Sequence, residues 1–145
     1  MSTEQTKSVV RLMIEAFNTR QFDALAETTV SPNLVYTHNG STSDRDKWLQ
    51  DFRNCVVSFP DIQFTVKSEE VVDDNVITNL AIMGTHLGPL GEMAPTGKSF
   101  NVDIHLTCHV KDGIILDWIE QVDEMTMARQ LGLMPGEATE TIENR

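Results

Sequence analysis

Basic residues are half as numerous as acidic ones in this chain, 11 against 22, and cysteine occurs only twice. Each shortage excludes something. A formal net charge of −11 repels phosphate backbones and anionic lipid, so neither nucleic acid nor a membrane surface is expected as a partner. Cys55 and Cys108 have no patterned spacing and lie in apolar surroundings, and they read as reduced core residues of a cytosolic protein. No run approaches 18 apolar residues, and the first residues lack the basic, apolar, small-residue order of a signal peptide, so a soluble, cytoplasmic protein is expected. A G-x-S-x-G elbow is absent, and neither cysteine has an identifiable basic partner, which leaves a Ser/His/Asp or Cys/His nucleophile without support. Gly88, Gly91 and Gly97 are spaced for a flexible loop and open no helix, so no phosphate cradle is formed. The expectation is that no organic cofactor is needed.

What is present suffices for one α+β domain over residues 1–145. A chain of this length buries roughly 70% of its unfolded surface without a disulfide or a metal. Val10, Met13, Ile14 and Phe17 recur at helical spacing within a helix over 3–18, and Phe22, Leu25 and Ala26 mark a second over 22–28. Ser31-Pro32-Asn33 ends the helical run. Leu34, Val35 and Tyr36 make a short strand that stops at the turn signal His38-Asn39-Gly40. A third helix is capped by Ser43 with Asp46, carries Trp48, Phe52, Cys55 and Val56 on one side, and ends at Phe59-Pro60-Asp61. From Ile62 the period becomes alternating, with strands over 62–72, 76–87, 100–110 and 114–122. Asp73-Asp74-Asn75 and Asp112-Gly113 are hairpin turns, while 88–98 is longer than reversal requires and suits a pocket mouth. A short helix over 124–132 closes on Gly132, and 138–145 is expected to fray. Helices followed by a meandering sheet give a cone: a curved antiparallel sheet closed by three N-terminal helices, with a pocket inside.

The strand after Asp112-Gly113 carries the chemistry. Its period of two puts Leu116, Trp118, Glu120 and Val122 on one face and Ile115, Asp117, Ile119 and Gln121 on the other. A carboxylate among apolar neighbours loses hydration, which raises its pKa toward neutrality and suits it to general acid–base work. The competing reading is a solvated charge at a strand end.

Gly84-Thr-His-Leu-Gly88, Met93-Ala-Pro-Thr-Gly97, Asp112-Gly113 and Arg129-Gln-Leu-Gly132, in this order of elements, resemble the SnoaL-like polyketide cyclases and the broader ester cyclase group, of the nuclear transport factor two-like fold. The resemblance spans almost the whole chain, most specifically in the Met-Ala-Pro-Thr-Gly loop. It implies that one aspartate on the last strand does the acid–base work. The position matching that aspartate is Glu120, with its carboxylate about 1.5 Å further from the backbone. A pocket histidine of the preceding strand corresponds to His105 when one residue is inserted before Asp112. Trp118 and Leu116 beside Glu120, with Phe52 and Tyr36, are the candidate substrate-binding residues.

Asp103, His105, Thr107 and His109 share a strand face, but residues four apart on a strand lie about 13 Å from each other, so His105 and His109 cannot hold one metal ion. His109 and His86 read as surface residues, and Asp123-Glu124 as charge at the start of the last helix. Three readings remain open. One is a cofactor-free cyclase or isomerase that folds a polyketide-like or other apolar ketone for intramolecular aldol closure. The second is a binding protein for small hydrophobic ligands, and the third an interaction domain whose cone is filled by its own side chains. Val102, Ile104, Leu106 and Val110 against His105 and Thr107 suggest apolar or β-branched residues on both sheet faces. A homodimer with sheets packed back to back is expected, as the resemblance also implies.

Overall fold

Ser2 opens the first helix as a capping box: its side chain accepts the Gln5 N–H while the Gln5 side chain returns to the Ser2 N–H. The helix, α1 (Thr3–Thr19), buries Val10, Met13, Ile14 and Phe17. It ends at Arg20 in the left-handed region, φ 66°, and the Arg20 guanidinium donates to the carbonyls of Phe17, Pro60 and Ile62. The computed structural model describes residues 2–133; the expected frayed end over 138–145 lies outside them. After α1 come α2 (Phe22–Thr29), β1 (Val30–His38), β2 (Ser41–Ser43), α3 (Arg45–Ser58), β3 (Gln63–Val72), β4 (Asn75–Thr85), β5 (Ser99–Lys111), β6 (Ile114–Val122) and α4 (Glu124–Gln130). Among the described residues no helix is long and apolar enough to cross a membrane.

The six strands form one sheet in the order β2-β1-β6-β5-β4-β3. It is curved and does not close, since β2 and β3 remain as edges. β3 to β6 run antiparallel, as their alternation predicts. β1 differs: it extends over nine residues and pairs in parallel with β6. Pro32 and a register shift between Val30 and Val35 disguise it as a short strand in the sequence. The N-cap of α3 is Asp44, which accepts the Lys47 N–H, and not Ser43.

The inward row of β5, Phe100, Val102, Ile104, Leu106, Cys108 and Val110, is buried without exception, together with Val76, Leu80 and Ile82 of β4. Its outward row, Ser99, Asn101, Asp103 and His105, is exposed and polar. Helices α1 and α3 close the inner face with an aromatic cluster. Phe17 stacks on Phe52 at 4.2 Å between ring centroids and meets Phe22, Trp48, Phe64 and Trp118 at 5.7 Å each. Such pairs add about 0.5–1.5 kcal/mol each beyond their buried area.

The turn between β5 and β6 follows its sequence signal, with Asp112 at φ 52° and Gly113 at φ 79°. A bulge then intervenes. His109 pairs with Asp117 but Val110 with Ile115, so Leu116 is the extra residue of β6. The bulge reverses the phase: Ile115, fully buried, takes the inward place that strict alternation assigns to Leu116.

Candidate active site

Strand register assembles the site. Tyr36 lies opposite Trp118 and His38 opposite Glu120 across the parallel β1–β6 pair, and Leu106 lies opposite Glu120 on the other flank. Positions opposite each other share a face, so Tyr36 and His38 project where Trp118 and Glu120 do. Glu120 is therefore not alone among apolar neighbours, as its own strand suggests. Its Oε2 is 2.6 Å from His38 Nδ1, and its Oε1 accepts the Trp118 indole N–H at 2.8 Å. The Tyr36 hydroxyl donates to Asp51 Oδ2 of α3 at 2.7 Å and lies 3.4 Å from Glu120 Oε2. Asp51 in turn pairs with Lys47 one helical turn earlier.

His38 reaches a second carboxylate, with Nε2 at 3.0 Å from Glu124 Oε2 at the start of α4. Asn39, at φ 47°, locks this corner. Its side chain exchanges two hydrogen bonds with the Val122 backbone and donates to Glu124 Oε1 at 2.8 Å. Two acceptors facing both ring nitrogens favour the imidazolium. The hydrogen bond to Glu120 is the largest cause, with Glu124 adding to it, and His38 is raised from 6.5 to about 9. Burial, then the charges of Glu120 and Asp51, push the Tyr36 phenol well above its usual range, so it acts as a neutral donor. Cys55 also reaches this space, and burial pushes its thiol up to about 12, which leaves it protonated and unreactive at neutral pH.

These groups form the polar end of a cavity of about 370 Å³, within the range of small-molecule sites. The rest of its lining is apolar: Phe17, Trp48, Phe52 and Phe64 from the aromatic cluster, Leu80, Ile104 and Leu106 from the sheet, and Met127, Ala128 and Leu131 from the α4 region. Leu90 and Met93 of the long loop also line it, in keeping with a loop at the pocket. This cavity sets aside the reading of a cone filled by its own side chains.

Of the residues singled out in the sequence, Glu120, Trp118, Phe52 and Tyr36 line the cavity together. Leu116 does not, because of the bulge. His105 does not either: unbroken alternation on β5 turns Ile104 and Leu106 inward and His105 outward, where its Nδ1 sits 2.9 Å from Asn79 Oδ1. His86 is fully buried rather than superficial, and its Nδ1 accepts the Thr96 N–H at 3.1 Å, clasping the base of the long loop. His109 is part-buried beside Asp117 on the outer face, at 3.2 Å. Asp123 caps α4 as its charge suggests, but Glu124 is committed to His38 and Asn39.

His38, Asp51 and Glu124 are the polar residues that sequence reasoning missed. A signal existed for two of them: His38 is in phase with Tyr36 along an alternating strand, and Asp51 stands one turn before Cys55 on α3. Among the described residues no group of three or more His, Cys, Asp or Glu side chains is placed to hold a metal ion.

The family model described as SnoaL-like polyketide cyclase matches residues 7–131. No curated protein sequence matches the chain significantly. Among solved structures, wild-type IdmH from Streptomyces antibioticus, named as a candidate polyketide cyclase, is 27% identical with a TM-score of 0.80, covering 88% of this chain and 99% of that one. AclR from Streptomyces galilaeus, named as a candidate hydroxylase, is 21% identical with a TM-score of 0.84, over 92% of this chain and 100% of that one. A candidate polyketide cyclase from Bacillus cereus is 23% identical with a TM-score of 0.74, over 90% and 82%. The latter two likenesses speak to the fold.

Proposed function

The chain belongs to the SnoaL-like polyketide cyclase family, and on that premise we propose that it is a cyclase or isomerase for a polyketide-like or other apolar ketone, with Glu120 as its acid–base residue. Glu120 removes a proton from the carbon next to a ketone, leaving an enolate. The enolate carbon attacks a second carbonyl of the same folded chain, a C–C bond forms, and the new alkoxide takes the proton back from Glu120. Atoms and charge balance without an added reactant. The cavity's contribution is to fold the chain so that the two carbons meet, and proximity of that kind is worth several kcal/mol.

The observation that carries this reading is Glu120, held by His38 and by the Trp118 indole, at the polar end of a cavity whose remaining lining is aromatic and aliphatic. His38 has both ring nitrogens committed to carboxylates, so it orients Glu120 and balances its charge rather than meeting substrate. The Trp118 indole fixes the other oxygen. Each oxygen keeps lone-pair capacity for a substrate proton.

The test is a screen of β-ketoesters and apolar ketones against the parent, Glu120→Gln and Glu120→Asp, following product formation. Binding is read separately from the fluorescence of Trp48 and Trp118, whose rings lie 5.3 Å apart in the cavity wall. Loss of general acid–base catalysis predicts a turnover about a hundred- to ten-thousand-fold lower in Glu120→Gln, with binding nearly unchanged. Glu120→Asp, the residue the family resemblance implies, is expected to keep part of the activity. Equal turnover in Glu120→Gln and the parent would reduce Glu120 to a strand-end charge, and binding without turnover in every protein would favour a ligand carrier.

A further inference from the structure

Nothing in the scheme above explains why His38 faces two carboxylates. One would orient it. A neutral imidazole carries a single N–H, so with Glu120 at 2.6 Å on one nitrogen and Glu124 at 3.0 Å on the other, it would point a lone pair at an ionised carboxylate. With both carboxylates ionised, both contacts are satisfied only by the imidazolium. Its side chain is 29% exposed, so the cation is only partly hydrated and depends on these partners. Among the described residues, the other titratable or charged groups nearby are Tyr36 on its own strand and, from α3, Asp51 with Lys47 and the protonated Cys55 thiol. Tyr36 donates to Asp51, Asp51 is paired with Lys47, and the thiol is neutral, so none of these groups serves His38 as an anionic partner.

The two partners differ in what happens to them. When Glu120 takes a proton from substrate it ceases to be an anion, and without Glu124 His38 would then be a part-buried cation lacking a counter-charge. Glu124 is outside the reacting pair, so transfer of the substrate's proton to Glu120 does not involve it. It is held in place by Asn39 and by α4, whose far end is fixed where Gln130 accepts the Asn101 N–H at 2.8 Å and donates to the Asn101 carbonyl at 3.2 Å.

We propose that Glu124 is a positioning residue for the acid–base step, the counter-ion that keeps His38 an imidazolium while Glu120 carries the substrate's proton. Glu124 thereby stabilises the state in which Glu120 is neutral, and ties the α4 wall of the cavity to the reacting carboxylate. This rests on the reading of Glu120 as the acid–base residue.

Glu120→Gln is an isosteric mimic of the protonated carboxyl, so the proposal can be tested without a substrate. The ring of His38 is titrated by nitrogen and proton NMR in the parent, Glu120→Gln, Glu124→Gln and the double variant, with the Trp118 indole resonance as a check on the fold. In the parent His38 is expected to titrate near 9. In Glu120→Gln it is expected below that but still above 6.5, and adding Glu124→Gln lowers it by about one further pH unit, the effect of removing one close opposite charge. Identical titration in Glu120→Gln and the double variant would overturn the role of Glu124. Should the double variant not fold, Glu124→Gln against the parent makes the same comparison: a drop of about one unit supports the proposal and no drop overturns it. A parent His38 that titrates near 6.5 would instead remove the His38–Glu120 pair itself, and the proposed acid–base arrangement with it. A high parent value with no response to Glu124→Gln removes only the inference drawn here.

Discussion

The ion pair at the cavity wall makes stability depend on pH in a direction that can be worked out. His38 is near 6.5 when the chain is unfolded and about 9 in the folded protein, so between those values the native state holds a proton that the unfolded state has released. Stability from this pair is full below about pH 6.5 and is lost as pH rises through about 9. At about 1.4 kcal/mol for each of roughly two and a half pH units, the ceiling is about 3.5 kcal/mol. The ring is 29% exposed, and screening by water reduces the expected effect to about 2 kcal/mol. The perturbation is Glu120→Gln, which removes the larger partner and leaves Glu124. Urea unfolding of parent and variant at about pH 6 and about pH 10 gives four free energies. The lysines, Tyr36, part-buried Cys55 and buried Cys108 are common to both proteins, and their contributions largely cancel in the difference of differences. The parent should lose on the order of 1–2 kcal/mol more than the variant over that interval. An equal loss in both, or a larger loss in the variant, would refute the argument that the His38 cation is held by Glu120.

Two further outcomes follow from the same geometry. A Cβ on Gly88 would stand 1.9 Å from the Val57 carbonyl oxygen, where backbone meets backbone, so Gly88→Ala should cost about 1–3 kcal/mol by thermal unfolding and displace Leu90 and Met93 from the cavity wall, weakening ligand binding. Gly91→Ala, with nothing within 4 Å but φ +60°, is the control and should cost only the strain of the left-handed region, about 1 kcal/mol; equal costs would mean that packing at Gly88 is not what holds the loop. The back-to-back homodimer is a proposal with a narrower footing than alternation suggests, because the outer row of β5 is polar, yet Val35, Met83 and Ile119 remain 42%, 38% and 41% exposed on that side of the sheet. Sedimentation at micromolar concentration should give twice the 16.3 kDa chain mass, and a monomeric mass withdraws the dimer.

What the sequence made legible was whatever depends on neighbours along the chain. The period of Val10, Met13, Ile14 and Phe17 announces α1, and the left-handed pair Asp112-Gly113 announces a hairpin. Glu120 stands out as an acid on an apolar strand face. Pairing between distant segments left no such trace. His38 and Glu120 are 82 positions apart and meet only because β1 joins β6 in parallel, a pairing that the run of antiparallel strands gave no reason to expect. Leu116 and His105 fail as pocket residues for the complementary reason: a bulge reversed the phase of one strand, and strict alternation held in the other where an inserted residue was allowed for. The same dependence shows where the site is vulnerable. A slip of one residue between β1 and β6 would turn Tyr36 and His38 away and present Val35 and Thr37 to the cavity. Glu120 would keep its place and its indole but lose both its cation and its phenol. The irregular segment around Pro32, where the β1 register shifts between Val30 and Val35, therefore determines which side chains face the carboxylate as directly as the identity of residue 120 determines that a carboxylate is there.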